Sequence, residues 1–193
     1  MAPIVLDRSR PLPTGVVLRP AQLEDAPVLG KLEQRLFPGE AWTVAQLAQE
    51  IVHPSRRYVV AERSAPADAP AAPPTRTADG RSLPVRTAGD AAPNAIVGYA
   101  GIMIAGDSAD IHTIGTVEPG AGIGRALLAW CADAALRGGA EQMFLEVRID
   151  NERARVFYER AGFEELAVRR GYYRIDGRSI DGLTMRAALR DPE

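Results

Sequence analysis

Hydrophobic positions along this chain follow two periods, one typical of helices and one typical of strands. In residues 21–37 and 44–53, apolar side chains recur every three or four residues, which predicts two helices, the second capped by Thr43. Short apolar or alternating runs around them predict strands at residues 16–18, 57–62, 95–104, 110–117, 143–149, 165–174 and 180–188.

Glycines mark the ends of two further helices in the second half of the chain. A glycine cluster within residues 120–124 opens a helical pattern that runs to about residue 137 and ends in a glycine pair. Another pattern covers residues 151–161, behind the capping side chain of Asn151. The resulting order, β-α-α-β-β-β-α-β-α-β-β, predicts an α/β protein with a mixed sheet and a parallel βαβ unit.

An abrupt change in composition interrupts this pattern. Residues 64–94 are rich in Ala and Pro and contain no aromatic side chain, so they cannot bury enough apolar surface to offset the entropy lost on ordering. We expect a disordered or poorly ordered insertion there. A proline-rich partner motif is the alternative, although no PxxP register with flanking basic residues is evident. Residues 1–14 predict a flexible tail, and residues 15–189 a single domain.

Composition and charge exclude several classes of function. The 193 residues carry 23 basic and 25 acidic side chains, and the net charge of −2 argues against nucleic-acid binding driven by bulk charge. The single cysteine, Cys131, excludes an internal disulfide, and the two histidines offer few ligands for a metal site. No apolar run predicts a membrane span or signal peptide. We therefore expect a cytoplasmic protein, monomeric or weakly dimeric, without membrane, metal or nucleic-acid partners.

The segment HTIGTVEPGAGIGRALL, residues 112–128, joins a predicted strand to a helix through closely spaced glycines. Glycines let the backbone approach a ligand, and the free N–H groups at a helix start attract anions. This pattern is typical of a phosphate or pyrophosphate site, although on its own it is weak evidence. The spacing G-x-G-x-x-G of dinucleotide-binding folds is absent.

A second motif, LEVRIDNERARVFYERAGF, covers residues 145–163. It places a carboxylate, Glu146, in a strand and then starts a helix at Asn151, on which Ala154 and Tyr158 share a face. The pattern R-x-x-N-x-x-A-x-x-x-Y-x-x-x-G-F runs unbroken from Arg148 to the final phenylalanine.

With these two motifs the chain resembles the GNAT family of acetyl-CoA-dependent N-acetyltransferases. Within that family it is most similar to RimI-type ribosomal-protein-alanine N-acetyltransferases. The resemblance covers residues 15–63 and 95–188, and the segments VRRGYYR and DGLTM, residues 168–174 and 181–185, extend it to the last strands. It implies the GNAT fold, in which two strands splay apart and acetyl-CoA enters between them.

The resemblance also implies site residues. Glu146 matches the family's general base, and Tyr158 matches the acid that protonates the departing thiolate. The implied acetyl-CoA contacts are Ile114, Gly115, Thr116 and Val117 for the pantetheine arm, Gly120, Gly122, Gly124 and Arg125 for the pyrophosphate, and Asn151. The implied acceptor-binding residues are Trp42, Arg170, Tyr172 and Tyr173, with Arg169 beside them.

One stretch departs from the family pattern. Where the family usually has a basic residue or Gln before its glycines, this chain has Pro119, Gly120 and Ala121, and the segment is about two residues shorter. A side-chain charge near the pyrophosphate is thereby lost. We expect acetyl-CoA binding to survive on the helix N-terminus, with weaker affinity.

Plain structural roles remain open for several of these residues. Glu146 could be a solvent-facing strand residue, Tyr158 a core tyrosine, Asn151 a helix cap and Trp42 a packing residue before its helix. Similarly, Arg169, Arg170, Tyr172 and Tyr173 could simply cover a strand, and His112 could be structural or act as a base.

The resemblance implies transfer of an acetyl group to a protein N-terminus, that of an alanine in a small-subunit ribosomal protein. The alternatives are acetylation of a small-molecule amine or a lysine side chain, and a non-catalytic CoA-binding module. The VRRGYYR and DGLTM strands favour the peptide-modifying enzyme, whereas the altered glycine loop keeps the binding module open.

Overall fold

The computed structural model describes residues 12–64, 95–175 and 177–189. Its elements are β1 (Val16–Pro20), a 3-10 turn (Leu23–Asp25), α1 (Ala26–Leu36), α2 (Val44–Val52), β2 (Arg56–Arg63), β3 (Ala95–Ala105), β4 (Ser108–Thr116), α3 (Ile123–Arg137), β5 (Gln142–Arg148), α4 (Glu152–Arg160), β6 (Glu164–Ile175) and β7 (Arg178–Ala188). The predicted order of elements is confirmed. The predicted flexible tail and insertion lie almost wholly outside the described residues.

Within the described residues, the strands form one sheet in the order β1-β2-β3-β4-β5-β7-β6. Neighbouring strands are antiparallel except β4 and β5, which are parallel and are joined by α3. The predicted mixed sheet and βαβ unit are therefore confirmed. At the insertion, Arg63 of β2 is the partner of Ala95 of β3, so residues 64–94 connect two adjacent strand ends.

Two helix starts differ in detail from the prediction. The pattern at residues 21–37 begins with the 3-10 turn, and Pro27 lies in the first turn of α1, where a helix needs no N–H donor. Helix α3 starts at Ile123 and not at the first glycine, because Gly120 and Gly122 have φ values of 85° and 89°. Such left-handed conformations cannot continue a right-handed helix.

The core lies on both faces of the sheet. On one face α3 buries an apolar stripe that includes Leu127 and Cys131, both fully buried, as the sequence predicted. On the other face α1 and α2 bury Leu29 and Leu47 against Tyr99 of β3. No helix in the described part of the chain is both long and apolar enough to span a bilayer.

Candidate active site

The two parallel strands in the middle of the sheet separate partway along their length. Strands β4 and β5 are paired from Ser108 to Ile111, opposite Gln142 to Leu145, and the pairing stops there although both strands continue. Beyond this point β4 keeps its partner β3 and presents its other edge unpaired. A groove of about 760 Å³ opens at the separation.

Most residues predicted for catalysis and acceptor binding line this groove. They are Glu146, Tyr158, Trp42, Tyr172 and Tyr173, together with Arg169 and His112. Of the nine residues predicted to contact acetyl-CoA, Ile114 and Asn151 also line the groove, whereas the other seven lie outside its lining. The structure thus brings together side chains from the β4 and β5 strands, the loop before α2, α4 and β6. Arg170 does not line the groove; it lies exposed on β6, next to the residues that do.

Glu146 lies on β5 just past the last β4 pair, where the groove begins. Its carboxylate accepts a hydrogen bond from Nη1 of Arg169, 3.0 Å away. That guanidinium also lies 4.1 Å from the ring centre of Tyr172. The carboxylate of Glu146 is therefore paired with a cation in the structure. Burial, and to a smaller extent the negative charge of Glu146, raises the pKa of Asp110, which also lines the groove.

Tyr158 projects from α4 and is 7% exposed. Its ring contacts Phe157 and Phe163 edge-on, with centroids 5.1 and 5.6 Å away. Its hydroxyl has no hydrogen-bond partner among the described residues, yet the residue lines the groove. Burial raises the pKa of this hydroxyl well above its usual range, so it stays protonated and can donate. Tyr158 is thus a packed tyrosine whose protonated hydroxyl lies at the groove wall.

Asn151 sits where β5 leads into α4. Its side-chain oxygen accepts a hydrogen bond from the N–H of Ala154 at 3.1 Å, so its role as a helix cap is confirmed. Because Asn151 also lines the groove, the cap and a ligand contact are compatible at this position.

The glycine loop before α3 fits a phosphate-bearing ligand such as CoA. Helix α3 has Gly122 as its N-cap and no side chain caps its first N–H groups. Open space surrounds the positions of missing Cβ atoms at Gly120 and Gly122. Arg125, in the first turn, is exposed. Unpaired backbone donors, open space and a nearby guanidinium together suit a pyrophosphate.

The unpaired edge of β4 leads from this loop into the groove. It comprises Ile114, Gly115 and Thr116, which with Val117 just after the strand are the residues predicted for the pantetheine arm; of these four, Ile114 lines the groove. The N–H of Val117 is already hydrogen bonded to the carbonyl of Val97 at 2.9 Å, and the Thr116 hydroxyl donates to that same carbonyl. Those two donors are therefore not available to a ligand, whereas the edge toward β5 is.

The wall opposite α4 is aromatic. Trp42 follows α1, and its ring centroid lies 6.0 Å from that of His112. Tyr172 and Tyr173 are perpendicular, with centroids 4.9 Å apart. They lie at an irregularity in β6, where Arg169 and Tyr173 keep partners on β7 but the residues between them do not. The backbone of β6 between Arg169 and Tyr173 is therefore not paired with β7 at this wall.

The prediction missed a buried carboxylate that also lines the groove. Glu33 of α1 is 1% exposed and accepts hydrogen bonds from the Tyr99 hydroxyl, from Thr113 Oγ1 at 3.1 Å and from the N–H of Trp42 at 3.2 Å. A signal was present in the sequence, because Glu33 interrupts the apolar stripe formed by Leu29 and its neighbours one and two turns away.

Comparisons with known proteins agree with this geometry. The sequence profile of the acetyltransferase (GNAT) family matches residues 49–163. The chain is 36% identical over 176 residues to the N-alpha-acetyltransferase RimI of Mycobacterium tuberculosis, an alignment that covers 87% of this chain and 89% of that protein.

Solved structures share the fold. The ribosomal-protein-S18-alanine N-acetyltransferase of Escherichia coli superposes with a TM-score of 0.67 at 21% identity, covering 92% of this chain and 96% of that one. NAA60 of Arabidopsis thaliana, solved with a bisubstrate analogue, gives 0.71 at 17% identity, covering 91% and 99%. The chain therefore belongs to the GNAT family and is an N-acetyltransferase similar to RimI.

Proposed function

We propose that this enzyme transfers the acetyl group of acetyl-CoA to the α-amine of a protein N-terminus, with Glu146 as base and Tyr158 as acid. The observation that carries the proposal is that one groove holds both side chains at the point where β4 and β5 separate, and that Ile114 in its lining begins the unpaired edge of β4. The chain then leads from that edge to the start of α3, which no side chain caps. Acyl donor and acceptor can therefore meet between a proton acceptor and a proton donor.

Acetyl-CoA, when bound, supplies an activated thioester carbonyl and a thiolate leaving group. The residues that would hold it are the β4 edge (residues 114–117), the glycine loop with Arg125, and Asn151. The altered loop offers backbone donors instead of a side-chain charge, so we expect binding that is weaker but intact. In the described part of the chain no cluster of His, Cys, Asp and Glu could hold a metal ion.

Proton transfer falls to two side chains that differ in their surroundings. Glu146 takes a proton from the acceptor nitrogen, directly or through water, and the α-amine with its reference pKa of about 7.7–8.0 needs only modest help. Tyr158, kept protonated by burial, donates to the departing sulfur. Transfer is direct, in a complex of enzyme with both substrates.

The acceptor we propose is a protein beginning with alanine, such as a small-subunit ribosomal protein. Support comes from the similarity to RimI of Mycobacterium tuberculosis and from the fold shared with an enzyme named for the S18 alanine. The aromatic side chains of Trp42, Tyr172 and Tyr173 in the groove lining offer apolar contact to the first residues of a chain. A small-molecule amine or a lysine side chain remains the alternative acceptor.

The experiment measures CoA release from acetyl-CoA with peptides that begin with Ala, Ser, Met or Gly, with an internal-lysine peptide and with a polyamine. We expect turnover on the free N-terminal Ala peptide and little on the last two. Turnover only on lysine or the polyamine would replace the proposed acceptor. Binding of acetyl-CoA without any turnover would favour a CoA-binding module.

Variants test the two residues. Glu146→Gln and Tyr158→Phe should each lower kcat about 100-fold or more with little change in acetyl-CoA binding, since general acid–base catalysis is worth at least that much. Glu164→Gln, an exposed glutamate on β6, is the matched control and should leave kcat unchanged. Unchanged kcat in Glu146→Gln would place the base elsewhere.

A further inference from the structure

His112 occupies an irregular position in β4. The register between β3 and β4 passes from Gly101 opposite Thr113 to Ile102 opposite Ile111, so His112 is an extra residue without a partner. Such a bulge re-aims side chains, and bulges are common beside active sites. Here two consecutive side chains reach the same side of the sheet: His112 contacts α2 and Thr113 contacts α1.

A carboxylate fixes the orientation of the His112 ring. Nδ1 lies 3.1 Å from Oε2 of Glu50, which also accepts from Nε of Arg56 at 2.9 Å and from the Tyr58 hydroxyl at 3.3 Å. Because an ionised carboxylate only accepts, the proton on this bond belongs to Nδ1. The neutral ring therefore carries its lone pair on Nε2, the arrangement that a histidine base requires.

The second ring nitrogen has no partner among the described residues, although the side chain is largely enclosed, at 20% exposed. The ring lines the groove between Trp42 and the β5 side. Continuing the β4–β5 register past Ile111 and Leu145 puts His112 at the level of Glu146. An oriented histidine and the carboxylate proposed as base thus stand on the two strands that form the groove.

The proposed reaction removes two protons from the acceptor nitrogen. An α-ammonium carries three protons and the amide product carries one, so nitrogen must lose two: one to free the lone pair and one when the C–N bond has formed. One proton passes to sulfur as the C–S bond breaks, and one is released to solvent. Glu146 already accepts a hydrogen bond from Arg169 through one oxygen, so a second base beside it would divide the two proton losses between two groups.

We propose that His112 is a second catalytic residue, which deprotonates the acceptor ammonium through Nε2 and leaves the later proton to Glu146. Glu50 is its positioning residue, because it fixes the tautomer and stabilises the imidazolium that forms. This inference rests on the proposed function, since it needs an acceptor that enters as an ammonium ion.

The test begins with the full chain and an N-terminal Ala peptide. His112→Asn keeps a donor near Glu50 but cannot take up a proton, and it should lower kcat about 100-fold or more with the KM for acetyl-CoA within about 2-fold. His53→Asn, at the chain's other histidine, is the control and should match the parent chain, since the His53 ring contacts Ser55 at the end of α2 and does not line the groove.

Chemical rescue separates catalysis from packing. Added imidazole should restore turnover to His112→Ala in a saturable manner, while the parent chain in the same buffer gains nothing. Glu50→Gln should lower kcat by about 10-fold, since the ring keeps its place without the charge. Thermal unfolding, monitored by circular dichroism, checks that each variant is folded.

The outcomes are distinct. If the parent chain turns over the peptide and His112→Asn keeps kcat within about 3-fold, the inference is wrong and Glu146 acts alone. A loss of kcat without imidazole rescue would assign His112 a packing role and overturn the inference too. Failure of the parent chain on every peptide would instead overturn the proposed function, and this inference with it.

Discussion

The buried carboxylate of Glu33 tests how hydrogen bonds hold Trp42 in the aromatic wall of the groove. It joins β3, β4 and the loop before α2 by accepting from Tyr99, Thr113 and Trp42. The matched pair of changes is Glu33→Leu and Glu33→Gln, which have nearly the same volume but differ in polarity. Leu leaves the donors without an acceptor, whereas Gln still accepts through its oxygen, and its nitrogen can donate to a hydroxyl.

The expected cost follows from the donors left behind. Tyr99 is fully buried, and an orphaned buried hydroxyl costs about 1–3 kcal/mol. Thr113 can turn to Tyr99, 3.3 Å away, and the N–H of Trp42 lies near enough to the groove to find water, so its loss adds about 1 kcal/mol. Glu33→Leu should therefore lower the free energy of unfolding by about 2–4 kcal/mol, and Glu33→Gln by less than about 1 kcal/mol.

Denaturant unfolding measures these differences directly. In a chain of this length the larger loss corresponds to a fall in Tm of about 5–15 °C. Adding Tyr99→Phe to Glu33→Leu removes the orphaned hydroxyl, and a double-mutant cycle should show coupling of about 1–2 kcal/mol. Equal stabilities of the Leu and Gln variants, or additive effects in the cycle, would refute the claim that these hydrogen bonds stabilise the wall.

Two further predictions concern the rest of the chain. Replacing residues 64–94 by a four-residue turn should leave peptide turnover intact, because the insertion connects two adjacent strand ends. It should also stabilise the fold by up to about 2 kcal/mol, since each halving of the length of a flexible loop gains about 0.6 kcal/mol. A large loss of activity or a large fall in Tm would contradict the prediction that the insertion is dispensable. Burial raises the pKa of Cys131, so its thiol should react with a disulfide reagent only as fast as the protein unfolds; rapid labelling of native protein would show that α3 opens locally.

Local patterns in the sequence predicted the elements and most of the core correctly. The apolar spacing in α3 places Cys131 in the buried stripe, and the Asn151 cap and Thr43 cap both form. These features depend on neighbours within one or two turns, so a single sequence contains the information. Helix α3 begins at Ile123 and not at Gly120, since the predicted start depended on left-handed glycines whose conformation periodicity does not encode.

The hydrogen bonds that join α1 and α2 to β4 beside the groove could not be predicted in the same way. Glu33 and Thr113 are 80 positions apart in the chain, and Glu50 and His112 are 62 apart. Their meeting depends on how α1 and α2 pack on the sheet and on one unpaired residue in β4. Neither the helix packing nor the unpaired residue is a property of a short segment. The apolar periodicity of α1 therefore showed Glu33 only as a carboxylate inside an apolar stripe. That Trp42, Tyr172 and Tyr173 line one groove also depends on tertiary packing, and only the family resemblance placed them together.

The bulge at His112 links the architecture of the sheet to its chemistry. A regular β4 without the bulge would send the neighbouring side chains of His112 and Thr113 to opposite faces, because side chains alternate along a strand. Only one of them could then reach the side of α1 and α2. With it, Thr113 bonds Glu33 inside the core while His112 stands over Glu50 at the groove. It lies directly after the last β4–β5 pair, at Ile111 and Leu145. The bulge thus orients the His112 side chain at the point where β4 and β5 separate to form the groove.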